Sequence, residues 1–280
     1  MSTRKNEVFA RDSSSAGVPR RNIMKDDFDY EVPVEVVPLP SQGKVYPEGS
    51  ALHLVESLSI RAMTAREEDI LTSRALIKKG TVITELLNSA IVTPGVDSGK
   101  MLAGDRNAAM VAIRITGYGR EYSAEITCGG CNESVDTDFD LAQLPIKRLD
   151  IDPVESGVNL FEFTLPYTKK KVLFKFLTGD DEQDLLKETE RTRKKLRHAT
   201  DSLVTGRLKR SIVKVGEVTD KSKINVFVSN MPAADSRALR KFIEEHEPGV
   251  EMKMWTECAL CSHDQEVNMP IGAKFFWPDA

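Results

Sequence analysis

The chain has 280 residues, a formal charge of −4 and a pI near 5.7. That balance gives no global attraction for nucleic acid or an anionic membrane, and no run reaches the ~20 apolar residues that cross a bilayer. Its length and apolar content allow one large domain or two ordinary ones with real cores.

Residues 1–35 read as a flexible N-terminal arm. The stretch from Met1 to Arg21 is polar, turn-rich and poor in large apolar side chains, so it cannot bury enough surface to fold alone. Its bases Arg4, Lys5, Arg11, Arg20 and Arg21 suit an acidic surface on a neighbouring subunit. The spacing next predicts a strand over Val34–Leu39, closed by Pro38 and Pro40, and another from Leu58 that ends on Thr64. Thr64 with Glu67 forms a capping box ahead of a helix whose apolar positions are Ile70, Leu71, Leu76 and Ile77. A helix from about Asp105 to Thr116, stopped at Gly119, leads into an alternating strand over Glu121–Thr127. Cys128-Gly-Gly-Cys131 follows, and then a second alternating run over Val135–Leu141.

The order then recurs. A strand over Val158–Leu165 ends in Pro166, and one from Val172 ends on Thr178, where a helix opens with Leu185 and Leu186 as its apolar positions. From Asp180 to Ala199 this helix carries acids first and bases last, Arg191 to His198, as the helix macrodipole favours. A short strand at Ser211–Val215 and a helix at Ser222–Asn230 precede a helix from about Asp235 to His246, with Gly249 as its stop. A strand over Val250–Glu257, the pair Cys258-Ala-Leu-Cys261 and a run over Gln265–Ile271 complete the pattern.

A shift of 258 − 128 = 130 residues lays Met101–Cys131 on Met231–Cys261 without gaps. Met101 meets Met231, Asp105 meets Asp235, and Gly119 meets Gly249. Each aspartate is read as favouring a helix N-terminus, and each glycine as supplying a positive φ. The expected fold is α+β: a tandem duplication of one strand/helix unit, residues 36–150 and 151–280, each copy ending in half of a four-cysteine zinc ribbon.

Two thiolates separated by two residues can both point at one metal, and two such knuckles complete a closed tetrahedral shell. Cys128, Cys131, Cys258 and Cys261 are therefore the candidate ligands of one structural Zn2+, with no position open for substrate. A redox-active pair belongs at the start of a helix after a strand, whereas both pairs here lie between strands. Structural disulfides need an oxidising compartment, and the chain opens without a secretory signal. Coincidence would not consume every cysteine in two identical pairs.

Catalytic equipment is missing from the motifs. His53, His198, His246 and His263 fall in no nucleophile or metal-catalysis signature; His263 is at most a neighbour of the zinc ligands. Gly117-Tyr-Gly119 lacks the lysine and strand context of a phosphate loop. The acid pairs Glu67-Glu68 and Asp180-Asp181 occupy first turns of helices, where carboxylates are favoured. The reading is a non-enzyme. Its competitor is a zinc-ribbon nucleic-acid-binding protein using Arg191 to Arg210, a stretch without the interleaved aromatics that stack bases. A disulfide oxidoreductase built on Cys128 and Cys131 is a third reading.

Leu39-Pro-Ser-Gln-Gly-Lys-Val-Tyr-Pro47, Arg61-Ala-Met-Thr-Ala-Arg-Glu-Glu-Asp69, and Gly104-Asp-Arg-Asn through Ile115-Thr-Gly-Tyr-Gly119 to Cys128-Gly-Gly-Cys131 carry a resemblance. Together they resemble the baseplate hub family of T4-like contractile-tailed bacteriophages, over roughly residues 36–145 and more faintly through Phe275-Phe-Trp-Pro278. The resemblance implies a late, structural protein of the virion tail baseplate, assembled in the host cytoplasm and without enzymatic activity. Its implied partners are other baseplate and tail proteins in a multi-subunit symmetric assembly, with no nucleic acid and no membrane span.

Overall fold

The structure is a computed structural model that describes residues 29–195, 203–270 and 273–276. Most of the arm at 1–35 lies outside the described residues, as do Arg197, His198, Ile271, Trp277 and Pro278. The described chain is α+β, with helices packed around small antiparallel sheets.

Strand β1 (Val34–Pro38) pairs antiparallel with β2 (Ser57–Arg61), Val37 facing Leu58. The turn between them needs glycine at position 43: φ is +70°, and a Cβ there would lie 2.3 Å from the backbone nitrogen of Val55. Thr64 and Glu67 form the expected capping box, and α1 (Ala65–Thr72) starts there. The single helix read over residues 65–79 is instead two, because Ser73 takes extended backbone and α2 (Arg74–Lys79) restarts from it. Ile77, read as an apolar position of that helix, is consequently 55 % exposed. After α3 (Val82–Ala90), Ile91 bridges back to Ile60 and adds a third line to the sheet.

Helix α4 (Ala103–Tyr118) is the central element, with buried residues from Ala103 through Arg114 on all sides. A helix buried all round needs small residues where neighbours approach, and α4 has Gly104, Ala108, Ala109 and Ala112. It rests on β1, β2 and α3. Strands β3 (Glu121–Thr127) and β4 (Ser134–Asp140) form a ribbon in register from Glu121↔Asp140 to Thr127↔Ser134. Short β5 (Ile146–Lys147) follows.

The second half opens with β6 (Phe161–Thr164) and β7 (Lys171–Phe174). Helix α5 (Gly179–Lys195) begins at the expected place, but only Leu185 is buried; Leu186 is 61 % exposed. Helix α6 (Leu203–Ser211) returns the chain to β8 (Ile212–Val215), which completes a sheet of order β6-β7-β8. Helices α7 (Lys221–Ser229) and α8 (Ala233–His246) come next. The strand read over 250–257 is split into β9 (Gly249–Val250), which pairs with β5, and β10 (Lys253–Glu257), which pairs with β11 (Asp264–Asn268). Helix α9 (Ala273–Phe276) sets Phe275 edge-on to Tyr122, ring centroids 5.3 Å apart.

Both halves feed one apolar core, in which Leu58, Ile60 and Ile113 are continuous with Phe161, Phe174 and Phe176. Two matched details tie local sequence to local structure. Arg61, Thr64 and Glu67 form an ion pair and cap (Arg61 Nη2 to Glu67 Oε1, 2.6 Å; Thr64 N to Glu67 Oε2, 3.0 Å). Lys175, Thr178 and Asp181 repeat the same spacing and bonds (Lys175 Nζ to Asp181 Oδ2, 2.6 Å; Thr178 N to Asp181 Oδ2, 3.1 Å). Ile91, bridged to Ile60 of β2, and Ile212 of β8, paired with Phe174 of β7, each follow a helix and add the next strand position.

The two aspartates stand in the first turns of α4 and α8 as read but have further partners, and one of the two glycines departs from the reading. Asp105 and Asp235 are fully buried and bind the turn after the first strand of their own half instead of capping a helix. The N-caps are Leu102 and Pro232, which have no side-chain donor or acceptor to offer. Gly119 has the expected positive φ of +82°. Gly249 does not: it sits in β9 against α4, where a Cβ on Gly104 would come within 1.7 Å of the Pro248 carbonyl oxygen. Position 249 is not a left-handed stop; the close backbone approach here is required at Gly104, while a Cβ on Gly249 would meet the Gly104 Cα at an ordinary 3.4 Å.

Candidate metal centre

Each cysteine pair stands at the tip of a two-stranded ribbon, and the two tips close in the same way. The Cys128 N–H donates to the Glu133 carbonyl (2.9 Å) and the Asn132 N–H to the Cys128 carbonyl (2.9 Å), with Asn132 at φ +58°. In the other ribbon the Cys258 N–H donates to the His263 carbonyl (3.0 Å) and the Ser262 N–H to the Cys258 carbonyl (2.8 Å), with Ser262 at φ +54°. The left-handed residue turns the chain back just after the second cysteine, so both sulfurs of a pair face the same side.

The tips face each other. Cys128 Sγ lies 3.6 Å from Cys261 Sγ and Cys131 Sγ lies 3.9 Å from Cys258 Sγ. All four sulfurs fall within 4.8 Å of one another, and none is in a disulfide. A tetrahedral zinc–thiolate shell with bonds of about 2.3 Å has sulfur–sulfur edges of about 3.8 Å, so the two short pairs already have the right separation. The donor set fits a closed structural site, four soft sulfurs with no carboxylate among them. Two further contacts hold the tips in place. The Gly129 N–H donates to Gln265 Oε1 across the gap (2.8 Å), and the His263 ring lies so close that a Cβ on Gly130 would meet its Cγ at 2.8 Å. His263 is thus a packing neighbour of the cluster, through its ring, and a knuckle-closing acceptor, through its carbonyl.

Electrostatics argue for a cation among the sulfurs. The Cys128 thiol is drawn down to about 6, chiefly by the backbone N–H of Cys131 and then that of Gly130. At Cys261 the backbone donor at His263 favours the thiolate, but burial and the three neighbouring sulfurs outweigh it and push the thiol up to about 12. Cys131 is raised as well, against the help of its Glu133 backbone donor. One thiolate forms readily and then opposes the others. A divalent ion removes that opposition, since metal binding and thiol deprotonation are linked.

Sequence spacing placed all four cysteines together, but gave no sign of Gln265 bridging the ribbons. It also missed the burial of Arg114, which is 1 % exposed and donates to the Gly119 (2.7 Å) and Glu121 (3.0 Å) carbonyls at the root of the first ribbon. Burial lowers its pKa, and its guanidinium lies 5.4 Å from the Tyr118 ring centroid. The other described histidines are occupied structurally: His53 Nδ1 lies 2.6 Å from the Tyr46 carbonyl and His246 Nδ1 lies 2.8 Å from Asp150 Oδ1. A cleft of about 650 Å³ between loops near Tyr46, Val96 and Val158 holds the charged side chains Glu48, Asp97 and Lys100, and Asp97 and Lys100 pair with each other at 3.3 Å. No helix among the described residues is long and apolar enough to cross a membrane.

Comparison with the curated proteins and with the solved structures gives no match. A family model described as T4 bacteriophage base plate protein matches residues 33–277, a span that includes both ribbons, all four cysteines and the central helix. The chain therefore belongs to the T4 bacteriophage base plate protein family.

Proposed function

We propose that this chain is a structural, non-enzymatic component of the hub region of a contractile-tail baseplate, held in shape by one structural zinc ion. Family membership supports the baseplate role and, with it, other tail and baseplate proteins as partners in a symmetric multi-subunit assembly. The observation that carries the metal reading is the convergence of Cys128, Cys131, Cys258 and Cys261 from two distant ribbons onto one point. Late expression, assembly in the host cytoplasm and residence in the virion tail are parts of the same reading.

The two halves, residues 36–150 and 151–280, are proposed copies of one unit joined in tandem behind the arm at 1–35. The matched knuckles, the matched ion-pair caps at Thr64 and Thr178, and the matched roles of Asp105 and Asp235 support this. Zinc would then be the joint: it ties residue 128 to residue 258 and restricts the unfolded chain across the whole intervening loop. Apparent binding energies of structural zinc sites are on the order of 10–16 kcal/mol in peptides, enough to fix the relative position of the ribbons.

The outward face of the first ribbon disfavours nucleic acid. Glu125 faces Asp136 and Glu121 faces Asp140 across the strands, with Asp138 between them. Such a face repels phosphate, whose attraction is what gives nucleic-acid affinity its salt dependence.

Metal analysis of the purified chain together with recovery of its partners tests the proposal. One zinc per chain and co-purification of tail proteins are the expected results. Zero or two ions per chain would sink the shared site, and salt-sensitive retention of DNA or RNA without tail proteins would transfer the function to a nucleic-acid-binding ribbon.

A further inference from the structure

Each short sulfur pair crosses from one ribbon to the other, and each joins an accessible sulfur to a buried one. Exposed Cys261 faces buried Cys128 at 3.6 Å, and half-buried Cys131 faces buried Cys258 at 3.9 Å. An accessible thiolate beside a second thiol is the arrangement that turns a sulfenic acid into a disulfide before further oxidation. We infer that the four-cysteine cluster is an oxidative modification site at which a peroxide exchanges the metal for two disulfides, Cys128–Cys261 and Cys131–Cys258, that join the halves covalently. This deepens the zinc reading and rests on it for its starting state.

The chemistry balances. The Cys261 thiolate attacks one peroxide oxygen, the O–O bond breaks, and a sulfenic acid forms as hydroxide leaves and is protonated to water. The Cys128 thiolate then attacks the Cys261 sulfur; the S–S bond forms, the S–O bond breaks, and the second oxygen departs as hydroxide and becomes water. Two electrons pass from two sulfurs to one peroxide, and two protons are taken up. A second peroxide repeats the steps at Cys131, with Cys258 as the resolving thiolate. The metal, deprived of all four thiolate ligands, is released.

Geometry favours the crossed pairing over bonds within a knuckle. The crossed pairs lie at 3.6 and 3.9 Å within a cluster whose sulfurs all fall inside 4.8 Å, and the Gly129–Gln265 bond joins the same two tips that the crossed disulfides would join. The halves are then tied by an ion in a reducing medium and by covalent bonds in an oxidising one.

Trypsin provides a clean readout, because Glu121–Lys147 carries both cysteines of the first ribbon and Met254–Lys274 carries both of the second, with no internal lysine or arginine in either. The zinc-loaded full-length protein, with metal and thiols counted beforehand, is treated with hydrogen peroxide and digested without reductant. Expected are release of the bound zinc to a metal-sensitive dye, loss of all four thiols, and the two peptides joined until reductant is added. Two separate peptides, each with an internal disulfide, would overturn the inference. So would sulfinic or sulfonic acids without joining, or four thiols that survive peroxide. The double variant C131S/C258S keeps only one crossed pair and is expected to join the same peptides; failure to do so also overturns it. A protein that carries no zinc before peroxide refutes the metal reading separately, and its peptide map still decides the pairing.

Discussion

Asp105 on α4 and Asp235 on α8, 130 residues apart (235 − 105 = 130), do the same work with different partners. Asp105 Oδ1 accepts from the Ser41 N–H, while its Oδ2 accepts from the Ser41 and Tyr46 hydroxyls (2.9, 2.6 and 2.6 Å). Asp235 Oδ1 accepts from the Tyr167 N–H, while its Oδ2 accepts from the Thr168 N–H and hydroxyl (2.7, 3.0 and 2.7 Å). Burial pushes the Asp105 carboxyl up despite its donors, whereas at Asp235 the donors from Thr168 and Tyr167 outweigh burial and hold it down.

That difference predicts unequal asparagine variants. At 105 the new amide nitrogen can face the Ser41 and Tyr46 hydroxyls, each of which already accepts a backbone N–H, from Gly43 and Leu102, and keeps a second lone pair to accept from the amide once its own proton turns away. At 235 both oxygens face backbone N–H groups, which cannot turn, so one buried donor always opposes another. Asp235→Asn should cost about 2–3 kcal/mol and Asp105→Asn less than about 1.5, from the worth of hydrogen bonds to charged groups. Urea unfolding at neutral pH measures both; equal losses would contradict the argument.

The Glu67 cap sets an acid limb. Burial raises its carboxyl, but Arg61, Ser89 and Thr64 outweigh that and bring it from 4.5 to about 2. A depressed folded pKa contributes stability that is complete above pH 4.5 and is lost as the pH falls toward 2. Glu67→Gln should lower stability at pH 7 by about 1.5–3 kcal/mol and flatten the pH dependence between 4.5 and 2. Thermal melts of both proteins across that interval read the effect.

Cys128→Ser and Cys258→Ser each remove one of four equivalent donors and should lower the melting temperature by similar amounts, with loss of bound metal in both. A strong chelator should bring the unaltered protein to the same level. Strongly unequal shifts would mean that the two knuckles do not share one ion.

Gly104→Ala places a methyl group into the Pro248 carbonyl and should cost at least about 1–3 kcal/mol, the range for overpacking. Gly119→Ala meets no neighbour within 4 Å, but its φ of +82° with ψ of 173° belongs to a region kept almost entirely to glycine, so the backbone alone should cost about 1–3 kcal/mol. Denaturant midpoints measure both, and a tolerated Gly104→Ala would show that α4 and β9 can separate.

Adjacent leucines give a final contrast. Leu185→Ala empties a buried position and should cost about 2–5 kcal/mol, while Leu186→Ala, on the exposed side of α5, should stay within about 0.5 kcal/mol.

By itself the sequence determined the local elements and the four cysteines that meet at the ribbon tips. Capping boxes, β-alternation and CxxC spacing are short-range signals, so α1, the β3–β4 ribbon and the four-cysteine set were legible residue by residue. It misread what depends on neighbours distant in the chain. Gly249 looks like a helix stop, yet it lies in β9 beside Gly104 of α4 without a positive φ; Asp105 and Asp235 stand in the first turns of α4 and α8 as read, yet distant turns supply their donors. Leu185 and Leu186 are chemically identical, and only the packing of α5 decides which is buried. Spacing alone identified the sulfurs, but the crossed pairing Cys128–Cys261 and Cys131–Cys258 was decided by how the two ribbons meet, because local spacing limits the reach of each knuckle and tertiary packing sets its orientation.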